Sequence, residues 1–214
     1  MAQDTQKDWL AWHRQYDDST SRLARRLRIV QGHIRCEIDR HAGEVRIVSM
    51  CAGQGRDLLG VLTEHPRRYE IAALLVELDP RNVEIVQAAV DDAGLDRVRV
   101  MCADASNSDS YAGAVPADIV LACGVFGNVT DDDIMRTIAY LPRLCAPGAA
   151  VIWTRAHESD RDIVSAIRRQ FEQSGFEEVA IDAPSDATFR VGVHRLTVPP
   201  QPFEPGAHLF RFGR

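Results

Sequence analysis

Two glycines and one acidic residue stand where a nucleoside could be bound. A buried apolar run ends at Met50, and Gly53-Gln54-Gly55 follows directly before a helical pattern. Glycines at such a turn let the backbone approach a ligand, and the start of the helix offers it unpaired N–H groups. Glu77 comes 22 residues after Gly55, at the end of the next apolar run, where a carboxylate can accept hydrogen bonds from a ribose diol. Together these residues predict a ligand that contains adenosine.

The identity of that ligand depends on which of two patterns the sequence follows. A dinucleotide fingerprint reads G-x-G-x-x-G, but Leu58 occupies the third glycine position, which disfavours a pyrophosphate turn. The segment MCADAS places Asp104 just past the third apolar run, and ADIVLACGVFGNV (117–129) has the pattern of a fourth strand and its exit. In these features residues 43–197 resemble the class I S-adenosylmethionine-dependent methyltransferases. A terminal antiparallel hairpin, predicted below, is that family's usual departure from a dehydrogenase sheet.

The resemblance implies a role for each part of the pocket. The glycine-containing turn would bind the methionine moiety and the acid after the second strand would bind the ribose. The residues after the second and third strands would hold the adenine, and the end of the fourth strand would pass near the sulfonium. In that order, the implied cofactor-binding residues are Cys51, Ala52, Gly53, Gln54, Gly55 and Asp57; Glu77; Leu78, Asp104 and Ala105; and Cys123 and Gly124. The expected cofactor is S-adenosylmethionine, with S-adenosylhomocysteine as product and no metal.

Two positions depart from the family pattern. The family usually has Asp or Glu at the position of Ser49 and Gly at that of Cys51. Loss of the acid removes a common indirect anchor for the cofactor's amino group, so another group must hold it. Tyr16, Asp57 and the carbonyls near Cys123 are the candidates.

The sequence does not single out one catalytic residue, because displacement of a methyl group from a sulfonium mainly requires alignment and a dry pocket. A general base is needed only when the acceptor must lose a proton. His157 follows the fifth predicted strand, at the carboxyl edge of the sheet, and His13 and Tyr16 belong to an N-terminal segment that could close over the cofactor. These three are the catalytic candidates. His194 lies inside a predicted strand and is interpreted as a packed structural histidine.

Four residues are candidates for contacts with the methyl acceptor. Phe126 and Trp153 could form an apolar wall, Arg155 could pair with a carboxylate or phosphate, and Asn128 follows the fourth strand. The alternative interpretation is that the aromatic residues belong to the core and that the arginine lies on the surface. Cys-Gly-Val-Phe replaces the Asn/Asp-Pro-Pro-aromatic motif of DNA amino-methylating enzymes, which argues against a nucleobase target.

The elements that must position these residues follow from hydrophobic periodicity. Alternating strand and helix patterns predict a doubly wound α/β fold with a mostly parallel seven-stranded sheet that ends in an antiparallel hairpin. We expect residues 1–42 to form an N-terminal helical cap or lid and residues 43–214 to form the Rossmann-like domain, one structural domain overall. The predicted strands cover residues 45–50, 70–77, 97–102, 118–123, 149–154, 176–182 and 189–198, with a further edge strand near 208–212. Helices are expected to begin near Gly55, Pro80, Ser106, Asp131 and Ser159.

Composition narrows the class of partner. The formal net charge is -6, although residues 1–42 hold eight Lys/Arg against six Asp/Glu. An acidic chain has no general attraction to a polyanion, so we expect a small-molecule substrate, without nucleic acid or membrane, and a monomer or homodimer. The polar N-terminus and five widely spaced cysteines favour the cytoplasm. Alternatives to the small-molecule methyltransferase are a non-catalytic cofactor-binding or regulatory module, a dinucleotide-dependent oxidoreductase and an RNA or protein methyltransferase.

Overall fold

The computed structural model describes residues 14–156 and 163–212. Its strands alternate with helices along most of the chain, as the hydrophobic pattern predicts. The strands are β1 (Val45–Ser49), β2 (Ile71–Glu77), β3 (Val98–Cys102), β4 (Ala117–Ala122), β5 (Cys145–Ala156), β6 (Phe176–Asp182) and β7 (Phe189–Leu196). The α-helices are α1 (Arg22–Arg40), α2 (Arg56–Leu62), α3 (Pro80–Asp92), α4 (Asp131–Tyr140) and α5 (Ile163–Gln173).

The sheet confirms the predicted fold class. Its seven strands lie in the order β3-β2-β1-β4-β5-β7-β6. The pairs among β1 to β5 are parallel, whereas β7 runs antiparallel to both β5 and β6. The reversal follows from the short β6–β7 connection, which has no crossover helix. All parallel strands therefore end at one edge of the sheet, where their loops meet.

Helices cover both faces of the sheet and define two cores. Residues of α1, α2 and α3 pack with one face, and residues of α4 and α5 pack with the other. On α1 the buried side chains of Val30, Ile34 and Ile38 recur at helical spacing. Glu37, only 4% exposed, accepts hydrogen bonds from the Arg195 guanidinium on β7 at 2.8 and 2.9 Å. Helix α1 is therefore a fixed layer of the fold.

Two predicted elements differ in the structure. Only a short 3-10 helix (Ser108–Tyr111) forms where a helix was expected near Ser106, because Asp104 and Asn107 side chains bind nearby backbone N–H groups. The expected edge strand near 208–212 is reduced to two isolated bridges, from His208 to Asn107 and from Phe212 to Val129. Consecutive residues of that segment are buried in the core, which a one-faced edge strand does not permit.

The remaining boundaries are close to the predictions. Strand β5 begins at Cys145 rather than near residue 149, ahead of a register irregularity in its pairing with β4. Helix α5 is described from Ile163, so the expected start near Ser159 lies outside the described residues. None of the helices in the described ranges is long and apolar enough to cross a membrane.

Candidate active site

A cavity of about 820 Å³ opens at the carboxyl ends of β1, β2, β4 and β5. This volume lies in the upper part of the range of about 300–1,000 Å³ that is usual for ligand sites. Helix α1 and the short segment before it form one wall. The predicted site residues that line the cavity are Tyr16, Cys51, Ala52, Gly53, Gln54, Asp57, Glu77, Leu78, Asp104, Ala105, Cys123, Gly124, Asn128 and Arg155.

The turn between β1 and α2 brings its backbone to the cavity through left-handed residues. Gly53 has a φ of +56° and Gly55 a φ of +65°. Cys51 also has a positive φ of +50°, which costs a non-glycine residue about 1–2 kcal/mol. This conformation gives a physical reason for glycine at that position in related proteins. Ser49, where an acid is usual, is buried within β1 and does not line the cavity.

Gly55 differs from the expectation, because it does not line the cavity. A Cβ added to it would lie 3.0 Å from Leu75 Cδ2 on the neighbouring strand and 3.3 Å from Val86 Cγ1. Gly55 therefore serves the close packing of α2 against β2 and α3 rather than ligand contact. Leu58, one turn later, is fully buried in the same core.

Glu77 is held rigidly at the end of β2. Its Oε2 accepts a hydrogen bond from the Gly53 amide at 2.7 Å, and its Oε1 accepts one from the Asp79 amide at 2.8 Å. The residue is 9% exposed and lines the cavity. Each carboxylate oxygen can accept a second hydrogen bond, so the geometry suits a diol. Beside it, Leu78 is 63% exposed and offers an apolar surface.

Asn82 lines the cavity but is not among the site residues predicted above. It lies in the first turn of α3, is 0% exposed, and has no hydrogen-bond partner for either Nδ2 or Oδ1. A buried amide without partners costs about 1–3 kcal/mol, which a ligand that binds it would recover. The available signal was its spacing, because Asn82, Val86 and Val90 form the buried stripe of α3.

The loop after β3 presents Asp104 to solvent at the cavity edge. Asp104 Oδ1 accepts a hydrogen bond from the Ser106 amide at 2.8 Å, which fixes the orientation of the carboxylate. Ala105 is buried, and its carbonyl accepts a hydrogen bond from the Tyr111 hydroxyl. A ligand at this edge thus meets a fixed acid beside an apolar side chain.

The end of β4 forms the floor of the cavity, between the turn after β1 and the end of β5. The Gly124 amide donates to Thr154 Oγ1 at 2.9 Å, and Asn128 Nδ2 donates to the Gly124 carbonyl at 2.6 Å. Burial raises the pKa of the Cys123 thiol well above its ordinary value, so the thiol stays neutral. Burial likewise raises the pKa of Asp57.

Tyr16 covers the cavity from the segment before α1. Its hydroxyl accepts a hydrogen bond from Arg26 Nη2 at 2.9 Å, and the Arg56 guanidinium lies 5.6 Å from the centre of its ring. Arg56 also pairs with Asp17 at 2.8 Å. Burial raises the pKa of Tyr16, so its phenol is protonated at neutral pH and suits hydrogen bonding better than base catalysis. His13 and His157, the other catalytic candidates, lie outside the described residues.

Phe126 and Trp153 differ from the expected apolar wall, because both are fully buried in the core and neither lines the cavity. Their rings lie 5.9 Å apart, and Trp153 Nε1 donates to His194 Nδ1 at 3.1 Å. Strand β5 turns Trp153 away from the cavity, into space left open by Gly192. His194 is a packed structural histidine, and burial lowers its pKa to about 4.

Arg155 does line the cavity, next to the end of β5. Its Nη1 donates to the Phe126 carbonyl, and its Nη2 lies 3.6 Å from Asp131 Oδ1. The Arg155 side chain therefore contacts the start of α4 and also faces the cavity. Across the described part of the chain, no cluster of three His, Cys, Asp or Glu side chains could hold a metal ion.

Sequence and structure comparisons place this arrangement in a known group. Residues 21–160 match the family described as "Putative methyltransferase". No curated protein matches the sequence.

Solved structures match over most of the chain. A "possible exported protein" of Bordetella parapertussis has a TM-score of 0.62 at 14% identity, with 78% of this chain and 67% of that one covered. An O-methyltransferase family protein of Burkholderia thailandensis has a TM-score of 0.62 at 14% identity, with coverage of 80% and 55%. A "putative rRNA-methylase" of Clostridium thermocellum has a TM-score of 0.60 at 13% identity, with coverage of 78% and 96%.

This chain thus spans about half of the Burkholderia protein and nearly all of the Clostridium one. At these identities the likeness concerns the fold, whereas the family match covers well over half of the chain. The chain belongs to this methyltransferase family and has the fold of the class I S-adenosylmethionine-dependent methyltransferases.

Proposed function

We propose that the chain transfers a methyl group from S-adenosylmethionine to a small-molecule acceptor. The observation that carries the proposal is the constellation of Glu77, the 51–57 turn and Asp104 around one cavity. By the resemblance, Glu77 and Asp104 stand where the family uses acids, and the turn differs from the family pattern at Cys51.

The hydrogen-bonding groups at one end of the cavity fit the adenosine part of this cofactor. Glu77 offers free acceptor capacity toward a ribose diol, since its two backbone hydrogen bonds use only part of it. Asp104 can accept from an exocyclic amino group, and Leu78 can pack on a purine face. The orphaned amide of Asn82 provides a further buried donor and acceptor nearby.

The other end of the cavity suits a charged amino acid moiety. Because Ser49 cannot supply the usual acid, we assign the ammonium group to Asp57. Burial raises the pKa of this carboxyl, and the nearby Arg26 guanidinium opposes that shift. Tyr16, above the same turn, can donate its phenolic proton.

When bound, S-adenosylmethionine supplies a methyl group on a good leaving group. The residues around it then have to align the acceptor and exclude water. The end of β4, at Cys123 and Gly124, provides the floor, and Tyr16 provides the roof. In a direct displacement the acceptor atom is itself the nucleophile. The neutral Cys123 thiol and the neutral Tyr16 phenol do not suit a basic role, so His13 and His157 stay the predicted candidates for a general base.

Three other functions are less well supported. A dinucleotide needs a close pyrophosphate turn, but Leu58 fills the core where its third glycine would be. A non-catalytic cofactor-binding module is favoured only by the unusual residues Ser49 and Cys51. The net charge of -6 argues against a polyanionic RNA acceptor.

The proposal is tested by methyl transfer. The chain is incubated with methyl-labelled S-adenosylmethionine and with fractionated small molecules or total RNA from cells, and label is followed into each pool. Transfer into small molecules that is lost in Glu77→Ala supports the proposal. Tight cofactor binding with no transfer in any pool would favour the non-catalytic module, and label in RNA alone would refute the small-molecule acceptor.

A further inference from the structure

The charged side chains that line the cavity are unevenly distributed around it. Glu77, Asp79 and Asp104 stand at the ends of β2 and β3, on the side that suits adenosine. Arginines of α1 face the opposite side, where Arg22 and Arg26 line the cavity one helical turn apart. Arg81 also lines the first side, where it pairs with Asp79, and Asp57 lines the cavity within electrostatic range of Arg26. The local excess of positive charge is therefore clearest around Arg22.

The partners of these two arginines are neutral groups. Arg22 Nη1 donates to the Thr188 hydroxyl, and Arg26 Nη2 donates to the Tyr16 hydroxyl at 2.9 Å. Within the described ranges, neither forms an ion pair, although Arg26 lies within electrostatic range of Asp57.

Other arginines of the same helix do pair with acids. Arg25 binds Asp186 at 2.7 Å and Arg35 lies 3.7 Å from Glu64. Both of these pairs lie outside the cavity lining. The helix thus neutralises these two surface arginines and leaves two cavity arginines available to an anion.

The position of Arg22 indicates which ligand would supply the anion. Thr188, its partner, directly precedes Phe189, which pairs with Ala156 at the carboxyl end of β5. The Arg22 guanidinium therefore lies near the ends of β5 and β7, on the far side of the cavity from Glu77. This side borders the β4 end that we assign to methyl transfer, so a group bound here belongs to the acceptor.

We propose that Arg22, with Arg26 as a second cation, binds a carboxylate or phosphate of the methyl acceptor. The inference rests on the proposed function and makes it specific: the substrate is a small anion. A planar guanidinium suits either group, because it can donate two parallel hydrogen bonds to a pair of oxygens. The same chemistry could come from the cofactor's own carboxylate, and the experiment separates the two sources.

The test measures anion binding to the full chain saturated with S-adenosylhomocysteine. Benzoate and phenyl phosphate serve as probes in calorimetric or NMR titrations. We expect at least one probe to bind, Arg22→Gln to weaken it about tenfold or more, and Arg26→Gln to weaken it as well. Arg28→Gln is the matched control, because Arg28 lies on the same helix, hydrogen-bonds the Ser19 carbonyl at 3.0 Å and does not line the cavity. It should bind the probe as the parent does.

A second titration compares S-adenosylhomocysteine with methylthioadenosine, which lacks the amino acid moiety. The inference requires Arg22→Gln to bind both within about twofold of the parent. Selective loss of S-adenosylhomocysteine affinity, or no probe binding once that ligand is bound, would assign the arginine to the cofactor's carboxylate and overturn the inference. Binding of S-adenosylhomocysteine with no probe binding overturns this inference alone, whereas failure to bind S-adenosylhomocysteine at all overturns the proposed function.

Discussion

Replacement of Glu77 by alanine should weaken S-adenosylhomocysteine binding roughly 10- to 150-fold. A charged hydrogen-bond acceptor contributes about 1.5–3 kcal/mol, and each 1.36 kcal/mol is a factor of ten. The same change removes the acceptor of the Gly53 and Asp79 amides, now at 2.7 and 2.8 Å. We therefore also expect the free energy of unfolding to fall by about 1–3 kcal/mol. Glu77→Gln should be intermediate, since one amide oxygen replaces two carboxylate oxygens.

The assay pairs calorimetric binding with thermal unfolding, and a ligand change isolates the diol. A 2′,3′-dideoxy analogue of S-adenosylhomocysteine should bind the parent weakly and lose little further affinity in Glu77→Ala. Glu70→Ala is the control, because Glu70 also lies next to β2 but is exposed and pairs with Arg67. Equal losses for both ligands, or an affinity within twofold of the parent, would refute the assignment of Glu77 to the ribose.

Three further predictions concern the same fold. Asp57→Asn should weaken S-adenosylhomocysteine binding without lowering the melting temperature. Because burial raises the pKa of Asp57 above 3.8, the stability of the variant relative to the parent should grow as pH rises above that value. A variant less stable than the parent at neutral pH would contradict this. Cys51→Gly should be more stable than Cys51→Ala by about 1 kcal/mol in chemical unfolding, since only glycine adopts the positive φ without strain. The reverse order of stability would show that this backbone conformation is not strained. Glu37→Gln should lower the free energy of unfolding by about 1–3 kcal/mol, because it removes the charged partner of the half-buried Arg195 guanidinium. A loss below about 1 kcal/mol would show that the pair is dispensable.

The fold could be predicted from sequence because its signals are local. Apolar runs of strand length alternate with helical patterns, and a short β6–β7 connection forces the antiparallel end of the sheet. The failures lie where side chains compete with the backbone, as at Asn107, or where tertiary packing decides, as for Leu209 and Phe210. Periodicity carries no information about either effect.

The sequence predicts which residues lie near the cavity, because they follow strand ends. It does not predict the direction in which each side chain points. Trp153 and Phe126 stand near the cavity along the chain and point into the core. Gly55 belongs to the expected turn but serves packing, which only the distance to Leu75 reveals. Asn82 was missed because an asparagine in the first turn of a helix is usually solvent-exposed. Its burial depends on how α3 packs.

The identity of the bound nucleoside tests the central claim most directly. Calorimetry with the purified full chain compares S-adenosylmethionine, S-adenosylhomocysteine and NAD under the same conditions. We predict that the first two bind in the micromolar range or tighter and raise the melting temperature, with no heat from NAD. Micromolar binding of NAD without binding of either S-adenosyl compound would contradict the account.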